Sequence, residues 1–324
     1  MHSPKYFQGL IEKEISALSI PGSPVELYDP IRYMLSLGGK RLRPCLLLMA
    51  NELFGGDVSK AVGPALGIEV FHNFTLMHDD IMDNAPIRRG KETVYKKWNP
   101  NIAILSGDTM FVKSCQLMME VENVHRASVL DLFFKTAAEV CEGQQYDMNF
   151  ENKVNVSIPE YIEMISLKTA VLLGCSLQIG AMIAGASAEN ASLMYDFGKN
   201  LGIAFQLHDD ILDLYAESEK FGKQVGGDIL SNKKTILLLH ALAHSDTAKV
   251  CELKKWISTN DADPELKICA VTQIFESLDV RRKAEADMED YFLRAMNDFQ
   301  KVQADPSKKE TLSELAERLM VREA

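Results

Sequence analysis

Residues 157–188 read SIPEYIEMISLKTAVLLGCSLQIGAMIAGASA, and this stretch decides the fold. Ser157, Pro159 and Glu160 together mark a helix start. The serine oxygen can accept an early backbone N–H, the glutamate can reach back to the serine N–H, and an early proline forfeits no helical bond. From Thr169 to Ala188 no residue is charged, and the length approaches the ~20 residues of a membrane span. Ser176, Gln178 and Ser187, set among many Gly and Ala, suit instead a helix buried on all sides in a large helical protein. No stable membrane insertion is expected.

The same helical reading extends outward. Nothing between Asn101 and Ile158 is proline, and nothing between Glu160 and Asp263. Apolar residues there recur at helical rather than alternating spacing, which predicts long helices. Asp263-Pro264 and Asp305-Pro306 read as further starts, and Thr311 with Glu314 repeats the capping-box spacing. Gly38-Gly39, Gly55-Gly56 and Gly226-Gly227 read as breaks between helices. Without a Ser/Pro-rich linker, repeat or low-complexity tract, residues 1–324 are expected to form one all-α domain of roughly a dozen helices.

Composition narrows the function. Hydrophobic residues at 47% and charged residues at 25% exclude a disordered chain. Lys plus Arg is 35 against 46 for Asp plus Glu, a net charge of -11, which excludes nucleic-acid binding by bulk attraction to phosphates. Phosphorylated small molecules would need local basic clusters or bound cations. The six cysteines show no C-x-x-C pair, so they read as buried thiols in a reducing compartment. The start, Met1-His2-Ser3-Pro4-Lys5, has no apolar segment of signal-peptide type, and a cytoplasmic protein is expected.

One chemical signal occurs twice. His78-Asp79-Asp80-Ile81-Met82-Asp83 and His208-Asp209-Asp210-Ile211-Leu212-Asp213 share the pattern H-D-D-x-x-D, each after an apolar helical stretch. On a helix the first and third aspartates differ by about 40° in rotation and about 6 Å in rise, so both carboxylates leave one face. Their mutual repulsion is unfavourable, and a hard cation relieves it. Magnesium is typically held by one or two carboxylates plus substrate phosphates, so two such clusters suggest a diphosphate clamped between them by metal.

Positive charge is concentrated near these motifs. Gly38-Gly39-Lys40-Arg41-Leu42-Arg43 places three cations beside a glycine pair whose N–H groups can meet an anion. Arg88-Arg89 follows the first acidic motif; Lys223 and Asn232-Lys233-Lys234-Thr235 follow the second. His72, seven residues before Asp79, lies on roughly the same helix face and can donate to a phosphate. Lys168-Thr169 sets a cation and a hydroxyl at the head of the uncharged stretch, and Gln206 shares the face of Asp209.

From Gly38 to Thr235 these residues, in this order and spacing, resemble the trans-isoprenyl diphosphate synthases, the farnesyl and geranylgeranyl diphosphate synthase family. The resemblance implies a helical bundle around a deep central cavity, usually a homodimer. It implies head-to-tail condensation of isopentenyl diphosphate with an allylic diphosphate. By the same resemblance Asp79, Asp83 and Asp209 bind magnesium, with Asp80, Asp210 and Asp213 as secondary ligands or acceptors behind them. Arg88, Lys223 and Lys233 would contact the allylic diphosphate; Gly39, Lys40, Arg43, His72 and Arg89 would hold isopentenyl diphosphate. An allylic carbocation would form near Lys168, Thr169 and Gln206. Gln224 and Asn232 depart from the family pattern, where proline and glycine are common; this weakens the choice of Lys233 over Lys234.

In the family a bulky residue just before the first motif acts as a floor for the growing chain. Phe74 lies about 7.5 Å and Phe71 about 12 Å before Asp79 along the helix axis. They imply a short product, geranylgeranyl ahead of farnesyl. A class I terpene cyclase leaves Lys40, Arg43 and His72 unexplained, and a metal phosphohydrolase leaves Asp83 and Asp213 without a role. A non-catalytic subunit of a two-component synthase would be expected to lose metal aspartates that this chain keeps.

Overall fold

The protein is described here by a computed structural model, covering residues 1–216, 226–244, 246–259 and 262–321. The fold is all-α. The exception among the described residues is a two-stranded antiparallel ribbon, β1 (Ile87–Arg88) with β2 (Lys91–Glu92). The chain divides into two compact units, each assembled from separated stretches.

The first unit comprises Met1–Lys135, Cys175–Tyr195 and Val302–Leu312. It contains α1 (Pro4–Ala17), α2 (Val25–Ser36), α3 (Leu42–Leu53), α4 (Val58–Met82), α5 (Val94–Lys97) and α6 (Pro100–Met118). Helix α4 starts where the Asp57 carboxylate accepts the Ser59 N–H at 2.9 Å. Residues 64–71 of α4 are all buried, so this helix has no polar face there and is surrounded by α1, α2, α3 and α6. Gly67 allows the close approach of α6, since a Cβ there would stand 3.1 Å from the Ser114 carbonyl oxygen.

The second unit comprises 136–174, 196–301 and 313–321 of the described chain. The long helices α7 (Asn123–Asn152), α9 (Val171–Ile183) and α10 (Ala188–Tyr215) contribute residues to both units. Helix α8 (Ile158–Ile165) begins with the expected capping box of Ser157 and Glu160, and passes into a wide π-turn, Ser166–Ala170. Then come α11 (Gly227–Leu230), α12 (Ile236–Leu242), α13 (Thr247–Ser258), α14 (Pro264–Ser277), α15 (Val280–Lys301) and α16 (Pro306–Met320), whose first turns belong to the first unit. Leu207, Ile211 and Leu214, at i, i+4 and i+7 on α10, join a core with Ile236, Leu238, Leu253 and Phe275.

Several expectations hold locally. Asp263 accepts the Leu266 N–H at 3.0 Å and Asp305 the Ser307 N–H at 2.9 Å, capping α14 and α16. The apolar helical run Ile158–Ile183 is long enough to cross a membrane, but 83% of its most apolar window is buried inside the protein. Two expectations fail. Thr311 lies inside α16 rather than at a start, because Asp305 already caps that helix; the i, i+3 spacing arises equally on any exposed helix face. Cys141, Cys251 and Cys269 are exposed rather than buried, though no disulfide forms.

A Cβ at Gly180 would collide with the Leu47 carbonyl oxygen, where α9 rests on α3. At Gly9 in α1 a Cβ meets nothing within 4 Å. Urea denaturation should therefore show Gly180→Ala losing about 1–3 kcal/mol or more, while Gly9→Ala gains up to about 1 kcal/mol from helix propensity.

Candidate active site

The first acidic motif closes α4, with Asp83 as its C-cap. Negative charge is unfavourable at a helix C-terminus, so this placement needs cations. One arrives from the β-ribbon. Its two-residue loop, Arg89-Gly90, has both φ values positive (52° and 74°), the geometry of a tight hairpin with right-handed strand twist. The ribbon brings Arg88 to the motif: its Nε donates to Asp80 Oδ1 at 2.8 Å and an Nη to Asp79 Oδ2 at 3.3 Å. Asp80 is buried, and that burial pushes its carboxyl up to about 6 against the pull of Arg88, with Asp79 and Asp83 adding repulsion. Asp79 is partly exposed and Asp83 exposed.

Arg89, the neighbouring residue, reaches the glycine pair. Its guanidinium donates to the Gly38 carbonyl and covers Gly39, where a Cβ would stand 2.9 Å from Cζ. Gly39 has φ of 141°, so both backbone conformation and the arginine demand glycine there. In the first turn of α3, Arg43 Nη1 lies 3.2 Å from His72 Nε2. Guanidinium only donates, so Nε2 accepts and the imidazole proton sits on Nδ1. Desolvation first, then Arg43, Arg89, Arg88 and Arg41, hold the His72 pKa well below its ordinary value. The histidine is therefore neutral at pH 7. Gly39, Arg43, His72 and Arg89 thus form one cationic corner, with exposed Lys40 adjacent in the chain. Arg41, counted in sequence among the anion-facing cations, is instead buried and paired with Glu12 and Glu69.

The second motif lies near the end of α10. Asp210 is buried and accepts from the Tyr161 hydroxyl, Gln206 Nε2 (3.1 Å) and the Ile236 N–H (3.3 Å). Burial still raises its carboxyl to about 6, with Tyr161, Lys233 and Gln206 opposing. Asp213 Oδ2 accepts the Asp228 N–H at 3.0 Å, and its carbonyl accepts the Gly226 N–H at 2.8 Å. Asp210 and Asp213 therefore anchor the segment 226–236, while Asp209 is half-exposed. Lys233 is among the charges acting on Asp210, which favours it over Lys234. Lys223 and Gln224 lie outside the described residues.

Lys168 and Thr169 fall in the π-turn, where the Val171 N–H reaches back to the Ser166 carbonyl. Such turns recur at functional sites. Lys168 Nζ binds Asp147 Oδ2 at 2.6 Å, and Thr169 Oγ1 donates to Gln206 Oε1 at 3.3 Å. Sequence reasoning missed Gly143 and Asp147, which face this turn from α7. A Cβ at Gly143 would collide with the Lys168 backbone nitrogen. The signal was available: a glycine in the middle of a long helix costs about 1 kcal/mol unless packing requires it.

Before the first motif, Phe74 meets His78 edge-on (4.8 Å between ring centroids) and Phe111 at a tilt (5.5 Å). Phe71, 1% exposed, packs against Phe74, Phe111 and Phe133. Phe111 on α6 was not singled out in sequence; only tertiary packing brings it to Phe74.

Magnesium suits the acidic residues. Among the described residues no three His, Cys, Asp or Glu side chains close into a metal cage. Magnesium needs none: it keeps waters and substrate phosphates beside one or two carboxylates. Asp79 with Asp83, and Asp209, offer hard oxygens of that kind at accessible positions.

Comparison with known proteins shows the family. The family model described as polyprenyl synthetase matches residues 24–274. The geranylgeranyl diphosphate synthase of Methanosarcina mazei is 43% identical over 220 residues, 67% of this chain and 68% of that protein. The geranylgeranyl diphosphate synthase of Sulfolobus acidocaldarius is 38% identical over 312 residues, 92% of this chain and 91% of that one. A crystal structure of a geranylgeranyl pyrophosphate synthase superposes with a TM-score of 0.95 at 42% identity, covering 100% of both chains.

The buried carboxyl of Asp210 has a testable sign. Its folded pKa of about 6 exceeds the ordinary ~3.9 of an unfolded aspartate. The folded chain therefore takes up the proton first, so the destabilisation from this charge is full above pH 6 and fades as pH falls toward 4. In metal-free protein, the melting temperature of Asp210→Asn relative to wild type should be highest above pH 7. That difference should shrink steadily between pH 7 and 5; a difference independent of pH removes the buried charge as its cause.

Proposed function

Because the chain belongs to the polyprenyl synthetase family, we propose that it is a magnesium-dependent prenyltransferase. It joins isopentenyl diphosphate head-to-tail to an allylic diphosphate, giving a short prenyl diphosphate and inorganic diphosphate. The observation that carries this reading is that the aspartate motifs and a cluster of cations and glycine backbone lie on different elements. Aspartates at the ends of α4 and α10 suit a metal-bound diphosphate. The corner of Gly39, Lys40, Arg43, His72 and Arg89 suits a second diphosphate without metal. Two diphosphates are what a condensation requires and a cyclase does not.

In this reading Asp79, Asp83 and Asp209 would hold magnesium, which would supply positive charge to offset that of a departing diphosphate. Arg88, Lys223 and Lys233 contact the same diphosphate. Asp80, Asp210 and Asp213 act behind them: they bind Arg88, Tyr161 and the backbone of 226–236. Lys168, Thr169 and Gln206 then face the allylic cation with oxygens. The ion pair with Asp147 offsets the Lys168 ammonium, which would otherwise repel that cation. The Gln206 amide nitrogen is engaged by Asp210 and its oxygen accepts from Thr169, which fixes its orientation. The isopentenyl double bond attacks, and the proton lost leaves to the released diphosphate, so no strongly basic side chain is needed.

The working molecule is inferred to be one polyprenyl synthase domain, cytoplasmic and homodimeric. Exposed Ile104, Leu105 and Val112 on α6 and Met119 at its C-cap, with Val124 and Phe134 on α7, supply apolar surface for a second copy. The half-buried Phe74, backed by Phe71 and Phe111, is the proposed floor for the hydrocarbon tail, and geranylgeranyl diphosphate the favoured product.

Purified protein given isopentenyl diphosphate, magnesium and in turn dimethylallyl, geranyl or farnesyl diphosphate should yield one short prenyl diphosphate by mass spectrometry. A chelator should abolish it. Absence of elongation with every primer would overturn the reading. Phe74→Ala should shift the product to longer chains, and an unchanged length distribution would exclude Phe74 as the floor.

A further inference from the structure

Arg41 stands between Lys40 and Arg43 but faces the other way. Its side chain is 1% exposed. Nη1 binds Glu69 Oε1 on α4 at 2.6 Å, Nε binds Glu12 Oε1 on α1 at 2.9 Å, and Nη2 donates to the Leu35 carbonyl on α2 at 2.9 Å. One guanidinium thereby ties the start of α3 to three other helices. The Arg41 backbone is left-handed, φ 49°, a conformation costing roughly 1–2 kcal/mol for a residue with a Cβ. Glycine would relieve that cost, yet only a long planar fork makes three such bonds. Glu69 is itself fixed, because Asn73 Nδ2 donates to its Oε1 at 2.9 Å and to its carbonyl at 2.8 Å. His72 follows Glu69 by three residues on the same helix, and Arg43 contacts His72.

We propose that Arg41 is a positioning residue for the metal-free diphosphate site: it holds the left-handed turn that aims Lys40 and Arg43, in register with His72. The inference rests on reading Lys40, Arg43 and His72 as ligands of isopentenyl diphosphate. It assigns Arg41 no contact with substrate. It also explains why a buried arginine sits among residues that bind anions, since a buried ion pair by itself adds little net stability.

Steady-state kinetics with the two substrates varied separately test this. Arg41→Lys keeps the charge but loses the fork. It should raise KM for isopentenyl diphosphate roughly tenfold, with KM for the allylic substrate held within about twofold. Glu12→Gln, changed at the more exposed partner, should shift the same KM in the same direction by a smaller factor, without lowering the melting temperature. If Arg41→Lys does not fold, Glu12→Gln decides alone. Both KM values rising together, or a lowered melting temperature with KM for isopentenyl diphosphate unchanged, would make Arg41 a packing residue only. Arg43→Ala separates the two levels: if it leaves that KM unchanged, the site reading itself fails. If it raises KM while Arg41→Lys and Glu12→Gln do not, only the positioning role fails.

Discussion

Asp80 and Asp210 are buried carboxylates near the C-terminal ends of two long helices, and the surrounding structure is arranged to tolerate them. Taking an ion out of water costs several kcal/mol even after relaxation, so each must collect donors. Asp80 collects Arg88, which requires the β-ribbon with its positive-φ loop at Arg89-Gly90. Asp210 collects Tyr161 from α8, Gln206 from its own helix and the first N–H of α12. Each middle aspartate thus organises the elements that carry neighbouring cations. The flanking Asp79, Asp83 and Asp209 stay at least partly accessible.

That division of labour was only half legible in sequence. The motif D-D-x-x-D announces metal chemistry, but a residue string ranks its three aspartates equally. Helical phase separates Asp80 from Asp79 and Asp83 only once the apolar side of α4 is known, and residues 64–71 of that helix are buried all round. The long helices were readable because absence of proline and apolar spacing are local properties. The start of α8 was readable for the same reason, Ser157 and Glu160 being three residues apart. The β-ribbon escaped because its strands are two residues long, too short for any alternation.

Arg41 shows a second limit. Beside Lys40 and Arg43 it counts as one more cation of an anion site. Its partners, Glu12 and Glu69, lie 29 and 28 residues away in opposite directions along the chain. No local pattern marks that pairing; a left-handed arginine is recognisable only in three dimensions. The π-turn at Ser166–Ala170 is similar. Its five residues look like ordinary helix, and the cause of the widening is not visible in their spacing. What sequence did offer was Gly143, whose presence inside α7 makes sense once the Lys168 backbone is seen lying against it.

The charge balance follows from the same logic. A chain of net charge -11 that handles polyanions cannot rely on its overall field, which repels them. It must concentrate positive charge at a few points and keep it from being neutralised internally. Some of its cations are tied to acids within the fold. Arg41 is tied to Glu12 and Glu69, and Arg88 is held against Asp79 and Asp80. Arg89 covers glycine backbone, and Arg43 contacts an imidazole whose pKa is held down by burial first and then by the surrounding guanidinium groups. Arg43 and Arg89, with Lys40 adjacent in the chain, thus bring positive charge together at the glycine corner. The histidine is the economical choice there, since a carboxylate in its place would fix Arg43 equally well but would cancel the charge an anion must meet.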